Sequence, residues 1–355
     1  MTPRPPPTAT RAQNQATAAT GGLGTTDKHP VRRMLGVVMR VGISGVLLVL
    51  LIWRAPSFDA DEMWPDFNSA TPFWLVAAFA LTVAGNVVAT ARWYEVASAL
   101  GLRVKPRRLF SHYMAGMFIS NFVPTTVGGD VLRMTRLAND TDDGPHSFAS
   151  VLLERLSGWI VLPVFTLLGL ALDEELRGLG APTRVAASTA GLTLLALVLI
   201  LILVGNQRFG RWVSKHNGWV RFVNGLHTGI DELRAKPRDA GRVLLTAFAY
   251  QAVMLTAAGC AAKVVGINGL GPTELMAFIP AMLIIQVLPI SLGGLGLREG
   301  ALVLFLHELG VIDERAIAMG LLLYFLTVAG SLMGLPTLVF GGRRWQKAAR
   351  SRRAP

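Results

Sequence analysis

Apolar residues gather in long runs, separated by short segments of charge. Crossing the hydrocarbon core of a bilayer as a helix takes roughly 20 apolar residues. Six runs meet that length: 34–53, 72–91, 148–171, 183–205, 242–265 and 315–340. Two shorter stretches differ. Residues 109–123 run into PTTVGGDVLR, and residues 273–288 run into PISLGGLGLREG. Pro removes a backbone donor and Gly is conformationally loose, so both sequences break a helix. At membrane depth a break is tolerated only inside protein or beside a wet cavity. The pattern predicts an all-α polytopic membrane protein with about six full transmembrane helices and two re-entrant broken helices.

The broken segments align without a gap at an offset of 165. Pro124 falls on Pro289, Gly128 on Gly293, Gly129 on Gly294, Leu132 on Leu297 and Arg133 on Arg298. Upstream, Asn121 falls on Gln286, Met117 on Met282, Gly101 on Gly266 and Asn86 on Gln251. Apolar matches are cheap in such a chain, whereas matched Pro, Gly, Gly and Arg at one spacing are not. The chain therefore contains an internal repeat.

Basic residues set the orientation of the spans. The 1–33 tail, rich in Pro, Thr, Ala, Gly and Gln, lacks apolar periodicity and reads as disordered. It carries Arg4, Arg11, Lys28, Arg32 and Arg33, which places it in the cytoplasm. No apolar core precedes Met34, so the first run reads as an uncleaved anchor. The segment after it, with Asp59, Asp61, Glu62 and Asp66, belongs outside. Arg92, Arg103, Lys105, Arg107 and Arg108 put the loop after the second span inside. Asp173, Glu174 and Glu175 mark an external loop, while the basic stretch 206–242 and the tail 341–355 belong inside. These assignments close only if each broken segment enters and leaves on one side. Repeat one, about 34–171, and repeat two, about 183–340, then run in opposite directions. That is an inverted repeat, which in secondary transporters places the ligand site where broken helices meet.

Composition agrees with a bilayer. The 355 residues are 52% apolar and 16% charged, with mean hydropathy +0.47, whereas soluble chains carry about 25% charge. Cys260 is the lone cysteine, which excludes a disulfide scaffold. The net charge of +12 is read as cytoplasmic loops rather than nucleic-acid binding. Basic and aromatic residues in 206–242 (Phe209, Trp212, Trp219, Phe222) fit an amphipathic segment on an anionic leaflet.

Helix ends expose backbone donors, and Gly lets a ligand approach them. An arginine, Arg133 or Arg298, follows each Gly pair, a combination suited to a phosphate or another headgroup anion. A pseudo-two-fold site would bring both arginines to one cleft. The alternative is architectural, with the glycines allowing a tight hairpin and the arginines anchoring at the interface. Asp130 follows the first Gly pair and Glu299 the second arginine; each can pair with its neighbouring arginine or carry a proton. Glu154 and Arg155 lie about two turns into a span. Adjacent helical residues point apart, so each needs a partner elsewhere. Asn86, Asn121, Gln251 and Gln286 read as polar glue between helices.

Signs of an enzyme are thin. No pair among the six histidines has zinc-protease spacing, no Walker loop occurs, and GGLGLREG does not follow a strand. The expectation is no catalytic residue, no metal and no cofactor.

The motifs PTTVGGDVLR, VLLERLSG at 151–158 and PISLGGLGLREG together resemble the flippase-like family named for the transmembrane domain of lysylphosphatidylglycerol synthase. The resemblance covers about residues 34–340. Founding members move an aminoacylated lipid between leaflets and carry a following cytoplasmic aminoacyltransferase domain. This chain reaches Pro355 without that domain, so the resemblance implies membrane transfer without synthase chemistry. It carries over Pro124, Gly128, Gly129, Asp130, Arg133, Glu154, Arg155, Pro289, Gly293, Gly294, Gly296, Arg298 and Glu299 as substrate-contact candidates. The resulting expectation is an inner-membrane lipid translocase with both termini cytoplasmic and membrane lipids as its partners. Two rivals stand beside it: a scaffold for a separately encoded lipid-modifying or glycosyltransferase enzyme, and an intramembrane enzyme acting on a lipid-linked substrate.

Overall fold

Asn68 starts the first long helix among the described residues. Its side-chain oxygen accepts from the backbone nitrogens of Ala70 and Thr71 at 2.9 and 3.0 Å, and Pro72 is pre-set for the first helical turn. In the computed structural model, which describes residues 68–122, 128–205, 220–288, 291 and 293–338 with isolated positions at 39, 42, 45, 46, 49 and 63, this helix is α1, Thr71–Ala99. There follow α2 (Pro106–Phe122), α3 (Gly128–Thr141), α4 (Gly144–Leu172), the short α5 (Glu174–Gly178) and α6 (Ala181–Gly205). The second half comprises α7 (Val220–Ala235), α8 (Pro237–Val264), α9 (Pro272–Gln286), α10 (Leu297–Leu306) and α11 (Asp313–Ser331), which continues through a 3-10 turn. The expected disordered tail, most of the first apolar run, Pro124, Pro289, residues 206–219 and the basic C-terminal tail lie outside the described residues.

Among the described residues, five helices are long and apolar enough to cross a membrane: Thr71–Ala99, Gly144–Leu172, Ala181–Ile202, Pro237–Val264 and Asp313–Leu338. Their outward faces carry Phe73, Val76, Leu192, Leu195, Leu245 and Phe325, all exposed. Such faces have a solvent only in lipid. The chain is an all-α polytopic membrane protein.

The helices extend beyond the apolar runs, which corrects two assignments. The second span reaches Ala99, so Arg92 is a buried helical residue and not part of a loop. Likewise α8 begins at Pro237, so Arg238 and Arg242 stand on its first turns. In both cases charge ended the apolar run before the backbone ended the helix.

Directions follow from side-chain neighbours. Lys263 lies over the Trp74 ring at 4.0 Å, a Cβ on Gly85 would meet Met254, and Arg92 lies over Tyr250 at 5.1 Å. Rising numbers on α1 thus meet falling numbers on α8, and the two are antiparallel. Both helices stop in the same way. Gly101 and Gly266 have φ of +72° and +76°. Leu100, Gly101 and Leu102 donate to the carbonyls of Val96, Ser98 and Ala97; Val265, Gly266 and Ile267 donate to those of Ala261, Lys263 and Ala262. All six positions match at the 165-residue offset. Only Gly takes this left-handed cap without a Cβ penalty.

Between these turns and the next span, each half folds back on itself. In the first, His112 and Arg108 of α2 face Asp140 of α3, and Gly116 faces Gly129. In the second, Phe278 stacks on Phe305 at 5.1 Å and Gly294 sits against Gln286. Two main cores form, one around Trp93, Leu109, Met114 and Leu137 with Ile230 and Val243 of the second half, the other around Phe278, Leu302, Phe305 and Met319 with Leu170 of the first. A smaller cluster of Ala78, Cys260, Ala261 and Leu326 joins the halves.

Candidate functional site

Three arginines and two carboxylates meet where α1, α3 and α4 converge. Glu154 accepts from Arg92 through Nε at 3.1 Å and through Nη2, and from Arg133 Nη2 at 3.2 Å. Arg133 also donates to Asp130 Oδ1 at 2.8 Å. Asp130 takes a further pair of contacts from Arg155, Nη2 to Oδ1 at 2.8 Å and Nε to Oδ2 at 2.5 Å. The order is Arg92–Glu154–Arg133–Asp130–Arg155.

Local sequence explains each position. Asp130 and Arg133 are three residues apart on α3 and share a face. Glu154 and Arg155 are adjacent on α4 and diverge, so Glu154 turns to Arg92 and Arg133 while Arg155 reaches Asp130. Aromatic faces support the guanidiniums. Arg133 lies over Trp93 at 4.9 Å and Tyr113 at 5.0 Å. Trp93 is itself fixed by its indole nitrogen donating to Ser150 Oγ at 3.1 Å.

Burial is graded along the chain of charges. Side-chain exposure is 8% for Arg92, 3% for Glu154, 5% for Arg133, 16% for Asp130 and 47% for Arg155. Glu154 lies ten residues beyond the start of α4, about 15 Å along its axis. The network is therefore inside the span and opens at Arg155. Three guanidiniums against two carboxylates leave one positive charge over.

The equivalent place in the second half is simpler. Arg298 donates to Glu299 Oε1 through Nε at 3.1 Å and Nη2 at 2.7 Å, and lies over Tyr324 at 5.0 Å. Glu299 is fully buried, and its other oxygen accepts from the Gly296 backbone nitrogen at 2.6 Å. The amino end of α10 is thus occupied by its own carboxylate. Offset by 165, Arg92, Asp130 and Glu154 become Ala257, Leu295 and Met319. No second network can form from those residues.

The expected site residues divide accordingly. Asp130, Arg133, Glu154 and Arg155 come together, and Arg298 and Glu299 form a separate pair. Among the described residues no ion pair joins the two groups. Gly129 is buried in α3, where a Cβ would collide with Ser120 Oγ and the Gly116 carbonyl of α2. Gly128 opens α3. Gly293, Gly294 and Gly296 instead adopt φ of +61°, +82° and +84° ahead of α10. The two Gly pairs thus match in sequence and differ in conformation. Pro124 and Pro289 lie outside the described residues. Arg92, counted from sequence as a loop cation, is the network residue that the apolar pattern conceals.

Residues 37–334 match the family model for the lysylphosphatidylglycerol synthase TM region. The chain belongs to this family. The match runs from the first apolar run to the 3-10 turn after α11 and encloses the whole network. The chain is also similar to a UPF0104 membrane protein of Methanocaldococcus jannaschii, 26% identical over 109 residues. That stretch is 30% of this chain and 32% of the relative, so it spans about a third of each. No solved structure matches the chain.

Proposed function

We propose that this protein is a lipid translocase, carrying a lipid with an anionic headgroup between leaflets without altering it chemically. The carrying observation is the surplus positive charge of the Arg92–Glu154–Arg133–Asp130–Arg155 network, placed inside a span and reachable at Arg155. A charge in hydrocarbon is expensive unless balanced, and intramembrane ionisable residues are by default functional. A headgroup phosphate docking on Arg155 supplies the missing negative charge. Its acyl chains stay in the bilayer while the headgroup travels along the polar interior. Membership in the lysylphosphatidylglycerol synthase TM region family supports a lipid-related role.

In this reading both termini are cytoplasmic in a cell inner membrane, and α1 runs inward. The α2–α3 hairpin is re-entrant from the cytoplasm and α9–α10 from outside, consistent with the basic segments beside Arg103 and Arg238 and the acidic one at Glu174. Asp130, the more exposed of the two carboxylates, is the proton carrier if transport is ion-coupled.

Reconstitution tests the proposal. Liposomes holding the purified chain should scramble or flip a fluorescent phosphatidylglycerol, read by reduction of outer-leaflet dye. Arg155→Gln should lower the rate about tenfold, the value of one charge-assisted hydrogen bond. Equal rates with and without protein would reject transport.

A further inference from the structure

The matched turns after α1 and α8 differ in what lies over them. At Gly266 the Arg315 guanidinium closes the turn: Nη1 donates to the Gly266 carbonyl at 3.1 Å, and a Cβ there would meet the guanidinium at 3.3 Å. At Gly101 a Cβ would meet nothing within 4 Å. Ser150 stands at the position equivalent to Arg315, too short to reach, and already accepts from Trp93. The Gly101 turn borders an open surface cavity of about 540 Å³ lined by Tyr94, Ser98, Arg103, Lys105 and Pro106 of α2.

Charge distinguishes the turns as well. Arg103 and Lys105 correspond to Asn268 and Leu270 in the second half. Both cations are exposed, and among the described residues neither has an ion-pair or hydrogen-bond partner. Their depth follows from α1, whose 29 residues extend about 43 Å and so outreach a hydrocarbon core of roughly 30 Å. A helix that outreaches the hydrocarbon core brings its end within reach of the headgroup layer.

We propose that the α1–α2 turn is a binding site for a phosphate group, held by Arg103 and Lys105 over the open Gly101 turn. Phosphate is the chemistry that two neighbouring cations with free donors select. It is supplied either by an acidic phospholipid of the adjoining leaflet or by a soluble phosphate. This site is separate from the Arg155 network and does not depend on transport.

Retention of added phosphatidylglycerol by the detergent-purified full chain, followed by native mass spectrometry, tests the site. A parallel arm titrates inorganic phosphate as competitor. Arg103→Gln/Lys105→Gln should weaken phosphatidylglycerol retention about tenfold, while Arg177→Gln, at the opposite end of the bundle, should not. Ser98→Phe fills the cavity without changing charge and should give the same loss. Displacement by millimolar phosphate assigns the site to soluble phosphates; resistance to it assigns the site to the lipid. Unchanged retention and unchanged phosphate competition in both variants, with unaltered melting temperatures, would overturn the proposal.

Discussion

Gly169 and Gly334 stand 165 positions apart, and each brings its helix into backbone contact with a broken helix of the other half. A Cβ on Gly169 of α4 would lie 2.5 Å from the Ala277 nitrogen of α9. One on Gly334, just past α11, would collide with the Met114 carbonyl of α2. The last span of each half therefore clamps the hairpin of the other.

Backbone atoms cannot yield as side-chain tips do, so an added methyl must push the helices apart. Gly169→Ala and Gly334→Ala should each destabilise by about 1–3 kcal/mol, seen as a lower melting temperature in detergent. Gly191 on α6 has nothing within 4 Å of its would-be Cβ. Gly191→Ala should leave stability unchanged or raise it by about 1 kcal/mol through helix propensity. The opposite signs check the crossings against a general intolerance of larger residues.

The network makes a prediction about pairing. Glu154→Gln leaves Arg92 and Arg133 without their shared carboxylate and should destabilise by about 3–5 kcal/mol, since removing one member of a buried pair exposes the other to an uncompensated environment. Arg92→Gln added to Glu154→Gln should recover part of that loss, because it removes the stranded charge. Thermal melting of the two single variants and the double variant gives the coupling directly. Additive losses would mean that the two residues act independently.

Orientation is testable by labelling. With Cys260→Ala as background, a cysteine at Glu174, whose side chain is 90% exposed, should react with an impermeant maleimide in intact cells. A cysteine at the exposed Arg238 should react only after lysis. Labelling of Arg238→Cys in intact cells would reverse the topology and place the hairpins on the opposite faces.

Much of this arrangement was legible in the apolar runs and in the glycines matched at the 165-residue offset. The spans near 72–91, 148–171, 183–205, 242–265 and 315–340 each correspond to a long helix. The matched Gly101 and Gly266 form the same turn because a left-handed cap admits little else. What escaped was set by tertiary context. Arg92 looked like loop charge because hydropathy ends where charge begins, whereas its partners Glu154, 62 residues away, and Tyr250 hold it in the span. Gly169, Gly334 and Gly116 looked ordinary within apolar runs, since a close crossing depends on the helix opposite. Identical Gly pairs took different conformations because Glu299 caps Gly296 in one half, whereas Gly129 packs against Gly116 in the other.

That asymmetry separates the two repeat-related arginines. Arg133 serves two carboxylates and two aromatic rings, Trp93 and Tyr113; Arg298 serves one carboxylate and Tyr324. Lysine keeps the charge but offers one ammonium where a planar fork had spread its donors, and it stacks less well on aromatic faces. Arg133→Lys breaks the link between Glu154 and Asp130, so it should lower both melting temperature and lipid transport. Arg298→Lys still meets Glu299 as a single pair, and Glu299 keeps its bond to the Gly296 nitrogen. It should therefore lose less on both measures, by about 1 kcal/mol or more in stability, given about 0.5–2 kcal/mol for each aromatic contact. Side-by-side melting curves and liposome flux for the two variants decide the matter. Equal losses would mean that the halves contribute alike, and the surplus charge of the first network would not be the seat of headgroup binding.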